Sequence, residues 1–282
     1  MSNSKVLVEN TGSLQETIQT GSSLFESIEY QSLGMATGCV LFLLLIHWSF
    51  PKIRKLDIFD NSILNSIAGG LILGYVFLHI LPSLIFNIGD LKEQASSHFL
   101  SDEKNLLFVI FMFVLAGFTI LYTLEKIAYD HVRQNKEAGT VVYAAHIGIL
   151  MYLSFSIALI MPIISQNSFS SLILFTTIMA CHFILEDHSM IYNFPTRFTN
   201  IGRYIVMGGI VLGWLIGNFF TPYHYTFITT FMNAFLAGAL ILTTTKTEFA
   251  LLEGRSHFPT FIASLSVKAA VVFIMLLLEN IG

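Results

Sequence analysis

Seven ionisable side chains stand inside strongly apolar stretches of the 282-residue chain: His79, His146, His182, Glu186, Asp187, His188 and Lys268. A charge in hydrocarbon costs at least about 2.5–3.5 kcal/mol on insertion scales, so such residues face a cavity or a partner. His182 and Glu186 are four apart and project from one face of a helix. His146 lies on the preceding apolar stretch, which runs the opposite way. Counted from the expected membrane boundary at about 1.5 Å per residue, its depth falls between those of Glu186 and His182. Together they make a layer of two imidazoles and one carboxylate. That donor set suits Zn²⁺ and can also take Fe²⁺ or Mn²⁺.

The blander reading of a single intramembrane histidine is a hydrogen-bonded packing residue, and it applies most directly to His79. Asp187 and His188 point about 100° and 200° away from Glu186, toward the interface or an exit vestibule. Lys268 has two readings: it pairs with Glu186 where a metal would otherwise sit, or it snorkels or bonds to backbone carbonyls. His47 and Glu248 lie near helix ends and are expected to snorkel into the headgroups. Cys39 and Cys181 sit in apolar runs, which argues against a disulfide framework or a CxxC metal site.

The elements that must position these residues are legible from composition. The chain is 54% hydrophobic and 11% charged, with a mean hydropathy of +0.72. A soluble domain carries roughly a quarter charged residues, so most of this surface must face lipid. A net charge of −4, dispersed along the chain, gives no sign of nucleic-acid binding. Roughly 20 apolar residues are needed to span the hydrocarbon. Eight runs meet that need, at about 33–50, 61–86, 105–125, 141–163, 170–189, 201–220, 226–246 and 259–280. The fold class expected is therefore an all-α integral membrane bundle of eight helices. Residues 1–32 form a polar, acidic N-terminal segment, read as a surface helix or partly disordered tail, and 33–282 form the transmembrane domain.

Basic residues sort by side. Connections after the first, third, fifth and seventh runs hold Lys52, Arg54, Lys55, Lys126, Arg133, Lys136, Arg197, Arg203, Lys246 and Arg255. The other side holds only Lys5, Lys92 and Lys104. Such an excess marks the cytoplasmic side and leaves both termini non-cytoplasmic. The loop at 87–104, with Asp90, Glu93, His98, Asp102 and Glu103, is acidic and outside.

The second run, GGLILGYVFLHILPSL (69–84), resembles the second helix of the ZIP (Zrt-, Irt-like protein) family of divalent metal transporters. Small residues there lead into a His-Leu-Leu-Pro ending. The third run ends in Leu-Glu-Lys (124–126), and the seventh reads AFLAGALILTTTKTE (234–248), both similar to that family's patterns. The resemblance implies a carrier of divalent transition metals, zinc first and iron or manganese next, moving them toward the cytoplasm. The metal ligands would be His146, His182 and Glu186. His79 would lie on the uptake side, and Asp187, His188 and Glu248 would assist release. The expected partners are metal ions and the bilayer of a bacterial inner membrane or its eukaryotic equivalent, with a homodimer left open and no separate cofactor.

The binding helices match the pattern in part. Ile147 stands where the family has Asn, Leu150 where it has an acid, Phe183 where it has Glu and Leu185 where it has Pro. The sixth run lacks a bridging acid. These departures imply one reduced site instead of a two-metal site. They also leave room for a non-transporting relative that senses metal or scaffolds a partner. A metal-dependent intramembrane hydrolase using the same layer is a third reading. The absence of HExxH and GxSG patterns counts against it, and no enzymatic activity is expected.

Overall fold

A computed structural model describes residues 31–52, 62–94, 99–100, 102–134, 139–219, 225–249 and 257–279. The polar segment 1–30, His98 and the loop bases Arg54, Lys55, Lys136 and Arg255 lie outside the described residues. The described chain is helical throughout. Its long helices are α1 (Gln31–Lys52), α2 (Ser62–Tyr75, continuing through Val76–Ile80 into Leu81–Phe86), and α3 (Glu103–Arg133). They are followed by α4 (Thr140–Asn167), α5 (Phe169–Asn193), α6 (Arg203–Phe219), α7 (Tyr225–Phe249) and α8 (Phe258–Glu279).

Among the described residues, seven helices are long and apolar enough to cross a membrane, and the protein is an all-α, multi-pass membrane protein. The eighth expected span corresponds to α8, whose described apolar stretch, Phe258–Ile274, is shorter than the other seven. Bounds differ from the expected runs where polar residues continue a helix. α3 runs on to Arg133, helped by the Lys126–Asp130 pair at 2.8 Å. Part of the acidic loop after α2 is itself a helix, Ile88–Gln94, so Asp90 and Glu93 are helical.

Proline explains the break in α2. Pro82 has no N–H to donate, and its ring crowds the carbonyl four residues back. The helix widens into a π turn at Val76–Ile80 just before it, the kind of local adjustment that accompanies a disrupted ladder. Ser83 Oγ donates to the Ile80 carbonyl at 2.8 Å and satisfies one freed acceptor. The π turn carries His79.

Close helix contacts are set by glycine, since lipid supplies no hydrophobic drive and packing must come from close approach. On α6, Gly209, Gly213 and Gly217 rest on the carbonyls of Met151, Phe155 and Leu159 of α4. Gly117 of α3 and Gly238 of α7 lie reciprocally against the Phe235 and Val114 carbonyls. Gly70 and Gly74 of α2 face Phe261, Ser264 and Lys268 of α8. The three seams α4–α6, α3–α7 and α2–α8 dock outer helices onto inner ones. Contacts of α7 with α2 and of α5 with α2 and α4 close the interior.

α4 and α5 form a tight antiparallel hairpin. Ser168 alone breaks the helix, in an extended conformation, and its side chain accepts from the Ser171 N–H at 3.3 Å. This one-residue turn fixes the register of α5 against α4. Any depth relation between His146 and the α5 residues follows from it.

Candidate functional site

The hairpin register separates the three expected ligands. Counting from Ser168, His146 is 22 residues down α4, while His182 and Glu186 are 14 and 18 residues down α5. At about 1.5 Å per residue, His146 lies roughly one turn beyond Glu186 and two beyond His182. It does not lie between them, as boundary counting had placed it. The contacts agree: His146 Nε2 lies 3.2 Å from Glu125 Oε1 of α3, and Ser189 Oγ of α5 donates to the same oxygen at 3.1 Å. Among the described residues, no three His, Cys, Asp or Glu side chains converge on one point.

Three buried polar clusters occupy the interior instead. The first is a hub on Glu125, which is nearly buried. Lys246 Nζ of α7 lies 3.0 Å from its Oε1 and donates to Ser189 Oγ at 2.9 Å. Ser189 passes its own hydrogen to Glu125. His146 then donates Nε2–H, because the carboxylate can only accept. Four helices meet in this hub. It lies where α3, α5 and α7 end and α4 begins, the side on which most Lys and Arg residues fall.

The second cluster joins α1 to α5. His47 Nδ1 lies 2.9 Å from both oxygens of Asp187, and both side chains are about 1% exposed. This corrects two expectations. His47 does not snorkel, and Asp187 does not reach the interface; each removes the other's need for water. The His47 ring lies 4.5 Å from Phe183, which also flanks His182 at 5.7 Å. The third cluster is Glu186, whose Oε1 accepts from Thr243 Oγ of α7 at 2.5 Å.

Four buried atoms in these clusters have no hydrogen-bond partner: His47 Nε2, His146 Nδ1, His182 Nδ1 and Glu186 Oε2. In His47 and His146 the other ring nitrogen donates to a carboxylate, so in the neutral imidazole the orphan nitrogen carries the lone pair. Buried acceptors without donors are expensive in hydrocarbon. A set of them in one interior is chemically suited to a cation.

The remaining expected residues are more scattered. His79 is exposed and stacks on Tyr75 at 4.8 Å. His188 is half-buried. Glu248 falls within α7, and its side chain lies outside the described residues. Where the resemblance places donors, Ile147, Leu150 and Phe183 are buried apolar packing, and Leu185, in the proline position, is buried as well.

Lys268 does not pair with Glu186, nor does it snorkel. It is 1% exposed, its Nζ has no hydrogen-bond partner, and it sits 5.0 Å over the Tyr75 ring. A cation–π contact of about 0.5–2 kcal/mol offsets only part of an insertion cost near 2.5–3.5 kcal/mol. Lys268→Met keeps the stem that packs on Gly74 and is expected to stabilise the fold by about 1–2 kcal/mol. Unfolding of the variant in micelles reads this directly. A fall in stability would show that the ammonium is held by more than the Tyr75 face.

The sequence reasoning missed Glu125, Ser189, Lys246 and Thr243 as site residues. A signal existed for three of them: Glu125 lies in the Leu-Glu-Lys ending of the third run, and Thr243 and Lys246 lie in the 234–248 stretch of the seventh. Comparison with known protein families, with characterised proteins and with solved structures finds no match to this chain.

Proposed function

We propose that the protein is a membrane carrier of divalent transition-metal cations, zinc first and iron or manganese next, working through a single reduced intramembrane site. The observation that carries this reading is the set of buried, unpartnered polar atoms, above all His182 Nδ1 and Glu186 Oε2 on α5. The ZIP-like motifs of α2, α3 and α7 point the same way. His182 and Glu186 hold the cation, and His146 takes it about one turn nearer the basic end. In this reading α8 is the eighth span, both termini are non-cytoplasmic, and flow is toward the cytoplasm. Weak binding at such a site is compatible with transport, which needs release as well as capture.

The test is uptake of radioactive zinc into proteoliposomes by the wild type and by the His182→Ala/Glu186→Ala double variant, with iron and manganese as competitors. Saturable uptake, lost in the variant, is expected. No uptake by correctly inserted wild-type protein would remove the carrier reading.

One observation favours a second reading, a non-transporting relative that senses metal or scaffolds a partner. The Lys246 ammonium already neutralises Glu125, and apolar side chains fill three positions where the resemblance places donors. In that case the double variant leaves the cellular role intact.

A further inference from the structure

We propose that the surface where the end of α1 meets the start of α6 binds the headgroup of an anionic phospholipid, with Lys52 and Arg203 as its phosphate ligands. Trp48 and Lys52 close α1, and Arg203 and Tyr204 open α6. Both pairs lie at the basic end of the bundle, where tryptophan and tyrosine settle at headgroup level. Arg203 Nη1 donates to the Trp48 carbonyl at 3.2 Å and so joins the two helices. Lys52 Nζ stands 4.5 Å over the ring of the same tryptophan. One residue of α1 thus holds a guanidinium and an ammonium beside it.

Neither cation is satisfied by the protein. Among the described residues, neither pairs with a carboxylate. Asp187 is within electrostatic reach of Arg203, but it is buried and turned to His47. Besides Trp48, the guanidinium donates from Nη2 to the Tyr204 hydroxyl at 2.7 Å and lies 4.6 Å over that ring. Each Nη atom keeps a second hydrogen to give, and Nε has no partner. The Tyr204 hydroxyl, an acceptor toward Arg203, keeps its own hydrogen as well. Arg203 is half-buried and held in place by these two bonds. Little rotamer freedom is left for it to lose on binding an anion, and its planar fork matches the oxygens of a phosphate.

The surroundings of the two cations select a lipid as the source of that phosphate. From Lys52, the exposed Trp48, Leu45 and Leu41 follow at helical spacing along α1. From Tyr204, the exposed Val211 and Leu215 follow in the same way along α6, with Gly208 between them open to space. Two apolar stripes therefore begin at the cations and run into the membrane. That pattern fits a charged head with acyl chains beneath it, whereas a free phosphate would leave both stripes unused. A zwitterionic headgroup brings its own ammonium, a like charge beside Lys52 and Arg203, so the site favours a lipid with net negative charge. Metal carriage is not needed for this site, and its test is separate from that of the carrier reading.

The experiment titrates the purified full-length protein in micelles with phosphatidylglycerol or phosphatidylcholine and counts bound lipid by native mass spectrometry. The wild type is expected to take phosphatidylglycerol in preference. Lys52→Gln and Arg203→Gln are each expected to weaken that binding about fivefold, the effect of one cation beside an anionic headgroup. Lys52 is exposed and joins no two helices, so its variant carries the test should Arg203→Gln part α1 from α6. Lys104→Gln makes the same change in net charge at the opposite end of the bundle and should leave binding within twofold of wild type. Inorganic phosphate at matched concentration should not displace the lipid; if it does, the site is one for a free anion and the lipid assignment fails. Equal binding of the two lipids, or equal losses in the Lys52 and Lys104 variants, would overturn the proposal.

Discussion

Gly238→Ala is expected to destabilise the fold by about 3 kcal/mol, the upper part of the range for overpacking a tight contact. A methyl group added at Gly238 of α7 would run into the Val114 carbonyl oxygen of α3 and come within 2.7 Å of the Phe118 nitrogen. Both obstacles are backbone, so no rotamer change relieves them and the helices must part. Gly117→Ala meets the Phe235 carbonyl from the other side of the same seam and should behave alike. The sign is informative because glycine-to-alanine in a helix otherwise gains about 0.5–1 kcal/mol. Gly208→Ala and Gly148→Ala, which open onto empty space, supply that control. Denaturant unfolding in mixed micelles should order the variants with Gly238→Ala and Gly117→Ala well below wild type and the two controls at or above it. Equal stability across all four would mean that α3 and α7 do not approach closely.

The seams show how far sequence reasoning reached into the fold. All eight apolar runs correspond to helices, because lipid leaves the backbone no alternative and composition reports lipid directly. Gly209, Gly213 and Gly217 recur at spacing four in the sixth run, yet spacing alone does not say what they face. Gly117, alone on its run, carried no signal. The same limit governed the site. His146, His182 and Glu186 were legible as buried polar residues, and all three are buried. Their relative depth was not, because it was counted from membrane boundaries that the sequence marks loosely. Ser168, a one-residue turn, fixes the register instead. His47 was read as lying near a helix end and Lys246 as a basic residue of a connection, where side chains usually find water; both instead find carboxylates in the bundle. Which of two neighbouring helix-end residues turns inward depends on rotation about the helix axis, and a uniformly apolar run does not encode it.

Breaking the hub on Glu125 gives the second large effect. Lys246→Met removes the ammonium 3.0 Å from Glu125 Oε1 and leaves a nearly buried carboxylate with only His146 and Ser189 as donors. Removing one partner of a buried pair costs about 3–5 kcal/mol. Lys246 keeps a third of its side chain exposed, so the loss here should be nearer 2–3 kcal/mol. Glu125→Gln, which can still accept from His146 and Ser189, should cost less because it leaves the partly exposed Lys246 behind and not the buried carboxylate. The Glu125→Gln/Lys246→Met double variant removes both charges together. It should recover most of the loss, giving a coupling of about 2–3 kcal/mol between the two positions. The cycle, measured by unfolding in micelles, combined with zinc uptake, also separates two roles for Lys246. If Lys246 only braces four helices, the double variant restores stability and leaves zinc uptake unchanged. If the ammonium occupies a position that the cation must cross on its way out, uptake changes in every variant lacking Lys246, the restabilised one included. The stability cycle and the transport assay then report different jobs of one residue, and neither result depends on the other.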